Sequence, residues 1–241
     1  MAQKIAKYKT LRSLSTSVSK NLKNLYDYKM KFIIVGRSCV GKTTLLRKIF
    51  DPEFDLSNPT EKKYQSTIAL DMLCKKYTIE SNPNIHNTFE DYEKYVKVEA
   101  FDTAGMDDLT TLLKMYYRNA IGILLVYDIN DRNSFDVVKK IHQKMMNDIS
   151  KNINPKFLLI GCKLDLASMK REILFEEGQS FAFENKMLFT ETSNYSELDI
   201  NVEQNIEIML RTICNEIMEH SRRTCTNTYE FGVKENPMKE S

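Results

Sequence analysis

Five cysteines in 241 residues, at positions 39, 74, 162, 214 and 225, form no CxxC pair, and their number is odd. Neither a disulfide framework nor a zinc knuckle can be read from them, and a reducing compartment is the expectation. Three separated histidines, His86, His142 and His220, give no HxxxH or HExxH spacing, which argues against a metal site built on them. No apolar run approaches the roughly 18 residues that a membrane-spanning helix needs. The N-terminus lacks the unbroken apolar stretch of a secretory signal. Net charge is scarce too: 35 Lys and Arg against 33 Asp and Glu leave +2, which excludes a strongly basic nucleic-acid binder. That total hides an asymmetry. Residues 1–31 carry eight basic side chains and one acidic one, Asp27, or +7, so the remainder is 27 minus 32, or −5.

What is present fits one α/β domain with additions. Apolar residues make up 42% of the chain, enough to bury a sizeable core. KMKFIIV (29–35) reads as a short buried strand followed at once by glycine, and KTTLLRKIF (42–50) as a helix stopped by Pro52. Partial alternation from Thr67 to Thr78 and again over VKVEAFD (96–102) predicts two strands. Together they read as an antiparallel hairpin whose tip is the polar stretch 81–93. GILLVYD (122–128), KFLLIG (156–161) and MLFTETS (187–193) are short and nearly continuously apolar, as strands of a parallel sheet covered on both faces must be. Between them, Phe135, Val138, His142, Met145 and Ile149 keep one helix face, as do Val202, Ile206, Met209, Ile213 and Ile217. Strand and helix alternating in this way predict a doubly wound, mostly parallel sheet. A polar tail from about Ser221 is expected to be disordered.

The strongest local signal is Gly36-Arg37-Ser38-Cys39-Val40-Gly41-Lys42-Thr43, which fits G-x-x-x-x-G-K-[ST]. Glycines let successive backbone N–H groups curl around a phosphate, and the helix that starts there adds its positive dipole end. Lys42 can reach the β and γ oxygens, and the Thr43 hydroxyl can take one Mg²⁺ position. A buried strand before and a helix after supply the context that raises this match above chance. Asp102-Thr103-Ala104-Gly105 closes another strand. Its carboxylate can hold Mg²⁺, and the Gly105 N–H can approach a terminal phosphate with no Cβ in the way. Alone, that sequence also fits an ordinary strand-terminal turn. Gly161-Cys162-Lys163-Leu164-Asp165 ends a third strand, where open α/β sheets place ligands. An aspartate there can accept both the N1–H and the 2-amino hydrogens of guanine, and the Lys163 stem can cover the ring. Glu191-Thr192-Ser193-Asn194 follows a fourth strand, where backbone N–H groups can meet guanine O6.

In order, spacing and neighbours these motifs resemble a small GTPase of the Ras superfamily, closest to the Rab branch. The stretch DTAG…YYRNAIGILLVYDINDRNSF (102–135) carries the likeness nearly position for position, and REILFEEGQSFAFENKM…ETS (171–193) keeps the same rhythm. The resemblance covers about residues 29–217. It implies a P-loop NTPase G domain of α/β class, a six-stranded, mostly parallel sheet flanked by about five helices, placed at 29–220. An N-terminal basic extension (1–28) and a polar tail (221–241) complete the expected organisation. It also implies GDP and GTP as ligands with Mg²⁺. Gly36, Ser38, Cys39, Val40, Gly41, Lys42, Thr43, Thr44 and Gly105 stand on the phosphate side, and Cys162, Lys163, Asp165, Ser193 and Asn194 on the base side. Thr43, Thr67 and Asp102 are the implied metal positions. Thr67 and Lys42 carry the catalytic roles, with Thr67 matching the switch-I threonine. The segments around Thr67 and after Gly105 would order on the third phosphate and relax without it.

The departures from the family pattern are as specific as the likeness. Met106 stands where the family's DTAGQ motif carries the glutamine that orients the attacking water, and a thioether donates nothing. Very slow intrinsic hydrolysis follows. Either a GTPase-activating protein of the Rab type supplies the arginine and the glutamine in trans, or the position has lost its function. Cys162 replaces the asparagine of NKxD and loses an amide that would bridge base and phosphate loop, while Asn194 and Tyr195 replace the alanine and lysine of SAK. Cys39 stands where glycine is common. Switch I and the 81–93 tip are long, with 24 positions from Thr43 to Thr67 and 35 from Thr67 to Asp102.

The last cysteine, Cys225, has 16 residues after it, so no C-a-a-X box is visible, and Ala2 excludes N-myristoylation. In the basic arm, Leu11, Leu14, Val18, Leu22 and Leu25 fall at helical spacing among lysines, a pattern for peripheral contact with anionic lipid. The run SLSTSVS (13–19) favours a flexible arm instead. A monomeric cytoplasmic protein is expected, with effector, exchange-factor and GTPase-activating partners meeting the Thr67 and Met106 switch regions, in vesicle traffic or signalling. The alternative is a G-domain pseudoenzyme that serves as a scaffold. A P-loop nucleotide kinase would need a cluster of acceptor-site arginines, which the sequence lacks.

Overall fold

The apolar runs become the central strands of a computed structural model, which describes residues 26–51, 54, 71–80, 93–103, 105, 117–148, 155–194, 201–224 and 234–235. Strand β1 (Tyr28–Val35) alternates its side chains between two buried faces. Phe32 and Ile34 join one core while Ile33 and Val35 join the other, as a period of two requires. β4 (Gly122–Asp128) is buried along its whole length, and β5 (Lys156–Cys162) from its second residue on. Both are sorted in the same way: Leu124, Val126, Leu158, Ile160 and Cys162 face one layer, and Ile123, Leu125, Tyr127, Phe157 and Leu159 the other.

The expected hairpin is present, with β2 (Asp71–Glu80) antiparallel to β3 (Glu93–Asp102) from Asp71 opposite Asp102 to Glu80 opposite Glu93. Its first strand begins at Asp71 among the described residues. Positions 67–70, the tip at 81–92, the arm at 1–25 and the position of Met106 lie outside them. With β6 (Leu188–Glu191) the sheet runs β2-β3-β1-β4-β5-β6, and every pairing on that path except β2 with β3 is parallel. The parallel strands therefore discharge their carboxyl ends along one edge, and the strand order reverses at β1.

Two helical layers cover the faces. On one, α1 (Lys42–Phe50) brings Leu45, Leu46, Ile49 and Phe50, and α5 (Asn201–Thr224) brings Val202, Ile206, Met209 and Ile213. On the other, α2 (Arg132–Asp148) brings Phe135, Val138, Ile141 and Met145, and α4 (Phe175–Glu184) brings Ala182. The helix faces read from the sequence are the buried ones, including His142; Ile149 and the side chain of Ile217 fall outside the described set. A 3₁₀ turn (Leu164–Leu166) leads into the short α3 (Ala167–Lys170).

The polar tail departs from expectation. Helix α5 continues through Ser221 to Thr224, and β7 (Lys234–Glu235) pairs antiparallel with β1, Tyr28 opposite Glu235 and Lys29 opposite Lys234. The physical reason is an open strand edge. β4 meets β1 only from Phe32 onward, so the first residues of β1 offer backbone groups on that side, and any sequence can satisfy them.

Candidate functional site

Beyond Val35 the chain turns into the glycine-framed loop, and geometry explains each glycine that matters. A Cβ on Gly36 would lie 2.1 Å from the Val126 carbonyl oxygen, so the loop can lie against β4 only without a side chain there. Gly41 has φ 104° and ends the loop as the residue before α1. Cys39, with φ 67°, takes a left-handed conformation that costs a side-chain-bearing residue about 1–2 kcal/mol. Val40 is buried beneath the loop, while Ser38 and Cys39 are exposed on its rim.

The start of α1 is suited to an anion. No side chain caps it, and its first turn contains no acidic residue, so nothing within the helix offsets the positive end of its dipole. Lys42 is buried, and its Nζ donates to the Arg37 carbonyl at 2.8 Å, bringing the ammonium across the loop. Thr44 is half-buried in the same first turn. Arg37 itself is pinned by Asp131, Nη1 to Oδ2 at 3.0 Å.

Two hard oxygen donors meet at the loop's flank. Thr43 Oγ1 donates to Asp102 Oδ2 at 2.6 Å, joining α1 to the end of β3. A hydroxyl and a carboxylate at this spacing fit Mg²⁺, an ion that keeps water and phosphate in its other positions. Among the described residues no cluster of three or more His, Cys, Asp or Glu side chains could hold a metal, so an ion here needs oxygens from a phosphate and from water. Thr103 Oγ1 donates to the Ile34 carbonyl at 2.7 Å and fixes the chain that leads to Gly105. A Cβ on Gly105 would stand 2.3 Å from Ser38 Cα and 2.5 Å from Ser38 N, so this backbone rests directly on the phosphate loop.

The base-side residues assemble at the ends of β5 and β6. Backbone bonds knit the two loops together: Thr192 N donates to the Gly161 carbonyl at 2.8 Å, and Leu164 N to the Thr192 carbonyl at 3.1 Å. Ser193 Oγ donates to Asp165 Oδ1 at 2.5 Å, which orients a carboxylate that is otherwise exposed at the mouth. Lys163 has φ 69°, and its Nζ sits 2.7 Å from Asp128 Oδ2, so the ammonium is anchored and the stem is held beside the site. Cys162 is fully buried. Desolvation, with Asp128 adding to it, pushes its thiol up to about 12, so the group is a neutral, apolar filler at neutral pH. Asn194 is buried and reaches the other loop, Nδ2 to the Gly41 carbonyl at 3.2 Å.

The structure thus brings Gly36 to Thr44, Asp102, Gly105, Cys162, Lys163, Asp165, Ser193 and Asn194 to one sheet edge; Thr67 and Met106 lie outside the described residues. Sequence reading missed Asp128. It closes β4 as Asp102 closes β3, and it accepts from Asn130 N and Nδ2 at 2.9 and 3.1 Å while holding Lys163. A strand-terminal aspartate at the carboxyl edge was the available signal.

The sequence pattern of the Ras family matches residues 31–215. The chain is 31% identical over 209 residues to the Ras-related protein RABE1d of Arabidopsis thaliana, covering 87% of this chain and 85% of that one. It is 37% identical over 168 residues to the GTP-binding protein yptV2 of Volvox carteri, covering 70% and 68%. To the Ras-related protein Rab-13 of Mesocricetus auratus it is 31% identical over 207 residues, covering 84% and 91%.

Proposed function

Because the chain belongs to the Ras family, in its Rab branch, we propose that it is a guanine-nucleotide switch that binds GDP and GTP with Mg²⁺ and hydrolyses GTP very slowly. The observation that supports this most is the convergence on one edge of an uncapped helix start, the Thr43–Asp102 oxygen pair and the Ser193-oriented carboxylate of Asp165. In this reading the backbone from Gly36 to Thr44 and the Lys42 ammonium hold the β- and γ-phosphates. Asp165 accepts from guanine N1–H and the 2-amino group, which adenine cannot offer together. Thr43 and Asp102 hold Mg²⁺, with Thr67 as the third expected position; the ion supplies charge neutralisation on the phosphates. Gly105 lets the following segment approach the terminal phosphate, and that segment and the one around Thr67 form the surfaces for effectors, an exchange factor and a GTPase-activating protein. A place in intracellular vesicle traffic belongs to the same reading, as does a nucleotide unit spanning about residues 29–220.

Slow hydrolysis follows from Met106. A thioether neither donates a hydrogen bond to water nor accepts one well, so this chain leaves the attacking water unaligned. Heat-denaturing the purified protein and identifying the released nucleotide by chromatography tests the whole reading. GDP supports a working hydrolase and GTP a stalled switch. No guanine nucleotide, with none taken up on incubation, leaves the scaffold. Met106→Gln should raise single-turnover hydrolysis at least tenfold, the order expected of a positioned water-orienting group; an unchanged rate refutes the assignment.

A further inference from the structure

Base loop and phosphate loop are separate in sequence, and something must keep them in register if one ligand is to be gripped by both. The backbone knitting described above joins the β5 and β6 loops to each other, but neither of those bonds reaches the phosphate loop. The Asn194 carboxamide does, crossing 153 positions of sequence to donate to the Gly41 carbonyl at 3.2 Å. Gly41 is the junction of the phosphate loop with α1, and its carbonyl also accepts from Leu45 N at 2.9 Å. Contact is close on every side. A Cβ at Gly41 would stand 2.8 Å from Asn194 Nδ2, 3.9 Å from Cys162 Cβ and 4.0 Å from Cys162 Sγ.

Cys162 also borders the junction, about 1 Å farther off than Asn194, yet its thiol has no amide to offer and lies in the apolar layer with Leu158 and Ile160. Asn194 is 6% exposed, and its Oδ1 is buried and accepts no hydrogen bond. A buried amide with only its donor half in use is uncommon unless that donor has work to do. We infer that Asn194 is the positioning residue that locks the phosphate loop to the base loop, supplying from the β6 side the amide that position 162 lacks, and that it thereby sets the lifetime of bound guanine nucleotide. This inference rests on the nucleotide-binding reading above.

Double-mutant kinetics test it on the full chain, loaded with a fluorescent N-methylanthraniloyl GDP and chased with excess GDP. Asn194→Ala should release nucleotide about tenfold faster, the effect of losing one buried hydrogen bond. Cys162→Asn should act less on release in the wild-type background than in the Asn194→Ala background, because in wild type the Gly41 carbonyl already has two donors. Combined, the two substitutions should restore release to within about threefold of wild type, since position 162 borders the same residue, its Cβ 3.9 Å from the Gly41 Cβ position. Asn194→Asp is the second variant, for the case that an asparagine at the fully buried position 162 prevents folding. It keeps the shape, removes both donors and should release at least as fast as Asn194→Ala. A residue needed only for fold stability would lower the thermal midpoint in Asn194→Ala and show no rescue from position 162. Unchanged release in both Asn194 variants overturns the inference, as does a Cys162→Asn effect of equal size in both backgrounds. If wild type fails to bind the fluorescent GDP, the nucleotide reading falls and takes this inference with it. If wild type binds and Asn194 is silent, only the inference falls.

Discussion

Comparing the alkaline stability of wild type with that of Cys162→Ala isolates one buried thiol at the heart of the site. Burial pushes the Cys162 pKa up to about 12 from an ordinary value of 9.0. The folded state holds this proton more tightly than the unfolded chain does, so the associated stability is fully present below about pH 9 and is lost as pH rises toward 12. Three units correspond to about 4 kcal/mol in all. Between about pH 9 and pH 10 the expected loss is about 1 kcal/mol. Buried Tyr77 is also held neutral, mainly by desolvation, but it titrates in both proteins and cancels in the difference. Urea unfolding at each pH gives the two slopes. Cys162→Ala should be less stable at neutral pH, having lost a buried thiol, and should fall less steeply above pH 9. A companion measurement uses the same chemistry. At about pH 8 the thiolate fraction of Cys162 is lower than that of an ordinary thiol by about a thousandfold, whereas Cys39 and Cys74 are exposed. Brief iodoacetamide treatment followed by peptide mass spectrometry should find label on Cys39 and Cys74 with Cys162 untouched. Parallel slopes in urea, or alkylation of Cys162 in the folded protein at the pace of Cys74, would refute the reasoning.

Thr43→Val removes a hydroxyl that lies 2.6 Å from the Asp102 carboxylate and keeps the side-chain shape. Nucleotide affinity measured with Mg²⁺ should drop at least tenfold, while affinity in excess EDTA should hardly move. An equal drop in both conditions sinks the metal assignment. Asp165→Asn replaces two acceptor oxygens by one acceptor and one donor. Guanine binding should weaken by about a hundredfold or more, from the loss of charge-assisted bonds. Xanthine, which offers a carbonyl in place of the 2-amino group, should gain relative to guanine. A competition titration between GDP and xanthosine diphosphate checks both, and an unchanged ratio contradicts the base assignment.

Legibility in the sequence followed the kind of force involved. β1, β4 and β5 could be bounded to within a residue because each is a short apolar run stopped by glycine, aspartate or a turn, and the fold buries both faces of such runs. The buried faces of α2 and α5 were equally plain from periodicity. Helix α4 was harder to single out, since Phe175 and Phe183 point outward while Gly178 sits inward, which blurs the amphipathic signal. β7 could not be read at all. Two polar residues held by backbone hydrogen bonds leave no side-chain pattern to find. In the site, motif spacing placed the phosphate loop, Asp102, Asp165 and Ser193. Pairings between distant segments stayed hidden, among them Lys163 with Asp128 and Asn194 with Gly41. At position 162 the sequence announces a missing amide; only the fold reveals that one arrives from elsewhere.

The tie between β7 and the start of β1 has a mechanical side. Tyr28 and Glu235 face one another at the pole of the sheet opposite the carboxyl edge, the pole from which β1 runs to Gly36. A load taken up there is spread at once, because β1 is bonded to β3 from Tyr28 onward and to β4 from Phe32 onward. A pull on that pole would therefore act on the sheet as a whole, at the end away from the loops that gather at its carboxyl edge.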